Sequence, residues 1–214
     1  VTVIAAVPTD ECVFMASDTA IVRRDTFVGT VAKILRPGLG PEFEQQVLLG
    51  IAGSRALHDA ARLDFCERLN MPNLSDLQDP NKADLWAHAV ALRLCKLAVN
   101  AEPPLLVDDG ECDAEALLAV GPHMWLLSGQ SAVPLSTPFA IGSGSCEARG
   151  ALVAADELGL VESDPLRAAE LAVMAAIQLD AHCGGSIDVA DTQISRLPPS
   201  SKINRGGDPL SGPN

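Results

Sequence analysis

The hydrophobic pattern of the chain switches repeatedly between two periods. Two short β-rich runs come first, TVIAAV (Thr2–Val7) and CVFMA (Cys12–Ala16), joined by the turn-like PTDE, and they predict an opening hairpin. TFVGTVAKIL supplies two more strands, or a strand pair broken at Gly29; RPGLGPE is a Gly/Pro loop, and VLLGIAG is a further buried strand. From Ser54 the period lengthens. SRALHDAARLDFCERLN puts Leu57, Ala60, Ala61, Leu63, Phe65 and Leu69 at helical spacing behind Ser54 as an N-cap. A second helix, ADLWAHAVALRLCKLAVN, follows the linker MPNLSDLQDPN.

Strands return in EALLAVGPHMWLLSGQSAVPLSTPFAIGSG, where GP and GQ occupy two-residue turn positions and FAI precedes a Gly-Ser-Gly turn. Two more helices follow, SCEARGALVAADELGL and DPLRAAELAVMAAIQLDAHCGG. The second is started by Asp164-Pro165 and stopped by Gly184-Gly185. IDVADTQIS is a last strand. The expected organisation is one domain over residues 1–196 and a flexible Pro/Gly/Ser-rich tail over 197–214. Strands and helices are segregated, which predicts an α+β fold of antiparallel sheets with helices stacked outside, not a doubly wound parallel sheet.

Composition narrows the function. With 214 residues and 48% hydrophobic content the chain can bury a full core. A formal net charge of -13 argues against surfaces built for nucleic acid or anionic membranes. No apolar run reaches the roughly 18 residues needed to span a bilayer, and there is no basic signal-like start, so a cytoplasmic location is expected. Six cysteines (Cys12, Cys66, Cys95, Cys112, Cys146, Cys183) lack any C-x-x-C pairing and read mostly as buried thiols in a reducing compartment. His58, His88 and His182 fall on predicted helices without ligand spacing and read as solvated or core imidazoles. GSGSCEARG lacks the lysine and spacing of a phosphate loop. Neither a metal nor a cofactor is expected.

Candidate chemistry begins at Thr2. A threonine hydroxyl is a weak nucleophile, but at a chain terminus the residue's own α-amine, with an ordinary pKa of about 7.7–8.0, can take its proton. Val1 acylates that amine and must be absent from an active form; removal of an initiator residue ahead of a small side chain is one route. Asp18 closes the second strand, and Lys33 stands between the apolar Val31 and Ile34, where a buried ammonium would require a partner. Gly53, at a strand-to-helix turn, offers an unhindered backbone N–H.

TVIAAV, MASD, AKIL, IAGSRA, FAIGSGS and LDAHCGGSID together resemble, in order and approximate spacing, the proteasome β-subunits and the related bacterial heat-shock ring peptidase, over roughly residues 2 to 195. The resemblance implies a four-layer αββα N-terminal-nucleophile hydrolase sandwich, two antiparallel sheets between helix layers. It implies threonine-type endopeptidase activity, with Thr2 as nucleophile, Lys33 and Asp18 tuning it, Gly53 as oxyanion donor, and Ser143 and Asp180 orienting the amine. Cys183 stands where the family has a serine. Ile51 and Arg55 would line the pocket for the residue before the cleaved bond. Protein or peptide substrates, a homo-oligomeric ring and an ATP-dependent unfoldase are the implied partners. The competing readings are a non-catalytic ring scaffold and an N-terminal-nucleophile amidase acting on small amides.

Overall fold

The computed structural model describes residues 2–23, 26–37, 47–68, 79–100 and 114–193. Val1, most of the RPGLGPE loop, Leu69, much of the linker after the first helix, the segment EPPLLVDDGECD and the expected tail lie outside the described residues.

The fold is α+β, and both large sheets are antiparallel. The four-stranded sheet has the order β10-β1-β2-β11, formed by β10 (Phe139–Gly142), β1 (Val3–Pro8), β2 (Val13–Asp18) and β11 (Ile187–Asp191). The five-stranded sheet has the order β5-β6-β7-β8-β9. Its strands are β5 (Ile34–Leu35), β6 (Val47–Ala52), β7 (Glu115–Val120), β8 (His123–Ser128) and β9 (Ser131–Leu135). A separate ribbon pairs β3 (Ala20–Arg23) with β4 (Thr26–Thr30). Pro134, which cannot donate to a ladder, sits in the edge strand β9.

Period-2 alternation sends the two faces of each sheet to different cores. Ile4, Ala6, Met15, Leu48, Leu117 and Met124 meet between the sheets. From the opposite faces, Val3, Ala5, Val7 and Ala16 pack on helices α3 (Ser145–Glu157) and α5 (Pro165–Leu179) through Leu152, Ala172 and Val173. Leu49, Ile51, Leu118 and Trp125 pack on α1 (Arg55–Arg68) and α2 (Pro80–Val99) through Leu57, Phe65, Trp86 and Val90. Helices thus cover both outer faces. A one-turn helix, α4 (Leu160–Ser163), links α3 to α5. Among the described residues no helix is long and apolar enough to cross a membrane.

Several expectations need correction. β4 runs through Gly29 without breaking, and a register irregularity beside it takes up the mismatch with β3, a strand the sequence pattern did not reveal. α2 begins at Pro80, three residues before the predicted start, because the Asp79 carboxylate caps the Asn81 N–H at 3.0 Å. Gly159 separates α3 from α4, so the helix predicted through Leu160 ends at Glu157. α5 stops at Leu179 with Asp180 as its C-cap, before Gly184 and Gly185 are reached. On α1, Leu57, Ala61 and Phe65 form the buried i, i+4 stripe, whereas Leu63 points outward and is 63% exposed. Ser54 does cap this helix, accepting the Ala56 N–H at 3.1 Å. Of the described free cysteines, Cys12 and Cys183 are buried, Cys95 is half-buried and Cys146 is exposed.

Candidate active site

Thr2 enters β1 directly and is buried. β1 pairs with β10 at Val3↔Gly142. Gly142 has φ of +95°, and any Cβ there would lie 2.2 Å from the Thr2 carbonyl oxygen. Only glycine allows the end of β10 to come this close. Beyond it, the Gly144 N–H reaches the Thr2 carbonyl at 3.5 Å, and the Thr2 N–H reaches Ser143 Oγ at 3.4 Å.

One side of Thr2 is held by a buried charge pair. Asp18 ends β2, the neighbour of β1, and its side chain is fully buried. Oδ1 accepts from Lys33 Nζ at 2.7 Å and from the Val3 N–H at 2.9 Å, while Oδ2 accepts from the Gly184 N–H at 3.2 Å. Lys33 immediately precedes β5, so the pairing also links the two sheets. Burial pushes the Lys33 ammonium below its ordinary pKa, against the pull of the Asp18 carboxylate. A carboxylate with three donors suits the interior, since each lone pair lost to water is replaced.

On the other side lies a more open network. Ser143 Oγ donates to Asp180 Oδ2 at 3.0 Å, and Cys183 Sγ donates to the same oxygen at 3.3 Å. Oδ1 accepts from the His182 backbone N–H at 2.9 Å and contacts His182 Nδ1 at 3.1 Å. Burial acts to raise the Asp180 pKa, but these hydrogen bonds outweigh it and hold the carboxyl below its usual range. Burial, aided by Asp18, pushes the Cys183 thiol up to about 12. The thiol therefore stays protonated and takes the donor place of a hydroxyl, more weakly. His182, expected on a helix, follows the end of α5 instead and belongs to this network.

Thr2, Lys33, Ile51, Gly53 and Arg55 all line one cavity of about 100 Å³. Gly53, between β6 and α1, has φ of +137°, a conformation open chiefly to glycine. Ile51 is buried in β6; Arg55 opens α1 at the rim and pairs with Asp59 at 3.2 Å. Asp18, Ser143 and Asp180 stand behind the cavity, not in its lining. Ala20, Val31 and His58 also line it, and sequence reasoning did not place them there. For His58 the usable signal was spacing: it lies one helical turn after Ser54 and Arg55, on the same face. A larger cavity of about 580 Å³ opens between Pro80, Pro122 and Pro134. It contains none of the predicted residues, so size alone does not choose the site.

Such an arrangement can support acyl transfer. It combines a hydroxyl, a nearby cation, a backbone turn with glycine geometry and an acceptor network at the adjacent backbone nitrogen.

No known protein-family profile matches the chain, and no curated protein does. Among solved structures, the chain is similar to Thiobacillus denitrificans BPH, with a TM-score of 0.69 at 22% identity, covering 91% of this chain and 99% of that one. Thiobacillus denitrificans BPH in complex with Epoxomicin gives a TM-score of 0.67 at 21% identity, covering 90% of this chain and 99% of that one. At this identity the likeness is one of fold.

Proposed function

We propose that this chain is a threonine-type endopeptidase of the proteasome-like, N-terminal-nucleophile class, and that its sandwich is the αββα architecture of that class. The observation that carries this reading is the position of Thr2: it shares a cavity with Lys33 and Gly53, while Asp18 holds both the Lys33 ammonium and the Val3 N–H. A strand-forming threonine with no chemical role needs none of these neighbours.

In the reaction, the peptide bond ahead of Thr2 is first cut, freeing the amine. Thr2 Oγ1 then attacks the scissile carbonyl as the amine takes its proton. Lys33 stabilises the forming alkoxide electrostatically, and the Gly53 N–H holds the developing oxyanion. The amine passes the proton to the departing nitrogen, leaving an acyl ester on Thr2 that water hydrolyses with the same amine as base. Ser143 directs its proton to Asp180, so its oxygen can accept an N–H of the amine and hold it in place.

The similar Thiobacillus protein has been solved with Epoxomicin, which makes Epoxomicin a natural probe here. Protein prepared to begin at Thr2 is expected to gain the probe's mass on Thr2 and to cleave fluorogenic peptides. Thr2→Ala is expected to lose both, activity falling roughly a thousandfold or more. Absence of labelling and cleavage in correctly trimmed protein would overturn the reading. A ring peptidase is further expected to elute as a large homo-oligomer, whereas a small-amide hydrolase is not.

A further inference from the structure

The last strand delivers the chain to the larger cavity. β11 pairs antiparallel with β2 from Ile187↔Asp18 to Asp191↔Phe14, so the chain leaves β11 at the β1–β2 turn, the end away from Asp18. Thr192 is fully buried at that point. Its N–H donates to the Val13 carbonyl at 3.1 Å, and its Oγ1 accepts from the Val13 N–H at 2.8 Å and donates to the Gly121 carbonyl at 2.5 Å. Pro122, the residue after Gly121, lines the cavity of about 580 Å³, as do Thr9 and Asp10 of the β1–β2 turn. Its wall is apolar at Pro122, Pro134 and Leu135 and acidic at Asp10 and Asp84. Asp84 accepts from Trp125 Nε1 at 2.7 Å, and among the described residues neither carboxylate is in an ion pair. Among those residues no lysine or arginine lines the cavity.

We propose that this cavity is a docking site for the chain's own residues 194–199, ISRLPP, which follow Gln193 directly. The charges match. Residues 194–205 (ISRLPPSSKINR) carry Arg196, Lys202 and Arg205 and no acid, in a chain whose formal net charge is -13. Arg196 supplies the cation that Asp10 and Asp84 lack, and Leu197-Pro198-Pro199 supplies an apolar run for Pro122, Pro134 and Leu135. Proline-rich chain is extended before it binds, so docking it sacrifices little conformational freedom. Attachment through Gln193 holds the segment at an effective concentration on the order of millimolar, so modest contacts suffice. Composition alone marks the tail from Leu197 as flexible; the cavity gives its first residues a partner. The inference is independent of what Thr2 does.

The test uses the full chain carrying Arg196→Lys, which keeps the positive charge and adds an amine that a carbodiimide couples to a touching carboxylate. Digestion and mass spectrometry locate the coupled pair. Coupling of residue 196 to Asp10 or Asp84 is expected, in product that runs as a single chain under denaturing conditions. Because residue 196 stands only three positions beyond Gln193, the tether by itself gives some product. A second variant therefore adds Leu197→Ser, Pro198→Ser and Pro199→Ser, which keep the amine and the tether and remove the apolar contacts. Its yield is expected to fall by about tenfold, the size of effect that follows when a leucine loses its apolar seat. Every substitution lies beyond β11, so none disturbs the packed core. No coupling to either carboxylate, or an equal yield from the serine variant, overturns the inference. Product at twice the chain mass overturns it too, by assigning the cavity to the tail of a second copy.

Discussion

Two polar clusters flank Thr2 and differ in how they meet water. Asp18 and Lys33 have side chains 0% and 6% exposed and meet at 2.7 Å, with backbone N–H groups filling the carboxylate's remaining positions. Ser143, by contrast, is exposed, and the Asp180 carboxylate gathers donors at a partly open surface. The first cluster is fixed by the interior: no water can replace a lost partner, so both members are needed. The second can exchange partners with solvent. Cys183 is the buried member of this second cluster and donates to Asp180 more weakly than a hydroxyl would.

The comparison is broken most severely at Asp18. Asp18→Ala leaves the Lys33 ammonium and two backbone donors without their acceptor, and a loss of about 3–5 kcal/mol is expected from urea unfolding midpoints. The double variant Asp18→Ala/Lys33→Met is expected to regain part of that loss. A single-variant cost below about 1 kcal/mol would show that the interior does not hold this pair as described.

A smaller effect is expected at Asp180 and is read by pH. Its folded pKa lies below the ordinary 3.8, so its contribution is whole above that value and is lost as pH falls through the folded pKa. Asp180→Asn is expected to remove about 1 kcal/mol at neutral pH and to flatten the acid limb of the stability profile below pH 3.8. An unchanged acid limb would mean that the surrounding donors do not favour the carboxylate.

The smallest effect is expected at Cys183. Cys183→Ser replaces a weak donor by a stronger one and is expected to shift stability by less than about 1 kcal/mol while raising the Thr2 labelling rate severalfold. Labelling no faster than in the parent protein would indicate that Ser143 alone orients the amine.

Sequence pattern carried the fold furthest where turns punctuate alternation. The β7–β8 and β8–β9 hairpins follow from Gly121-Pro122 and Gly129-Gln130, each between alternating runs. Asp164-Pro165 marked the start of α5, yet the same pair at Asp79-Pro80 was read as linker because polar residues surround it. β3 could not be read from AIVR: four residues carry too little period, and among the described residues it pairs with a strand across a local register shift. At the site, charge logic required a partner for a buried Lys33, but the choice of Lys33 and Asp18 and the roles expected of Ser143 and Asp180 came from resemblance, because residues 37 apart in sequence leave no spacing signature. His58 was missed because a single helical histidine gives no sign of being buried beside Thr2, which appears only when the neighbouring elements are in place.

Asp18 accepts from the Val3 N–H and the Gly144 N–H donates to the Thr2 carbonyl, both downstream of the bond that joins Thr2 to Val1. Cutting that bond would release none of these moorings. The newly exposed end would already be seated when it forms.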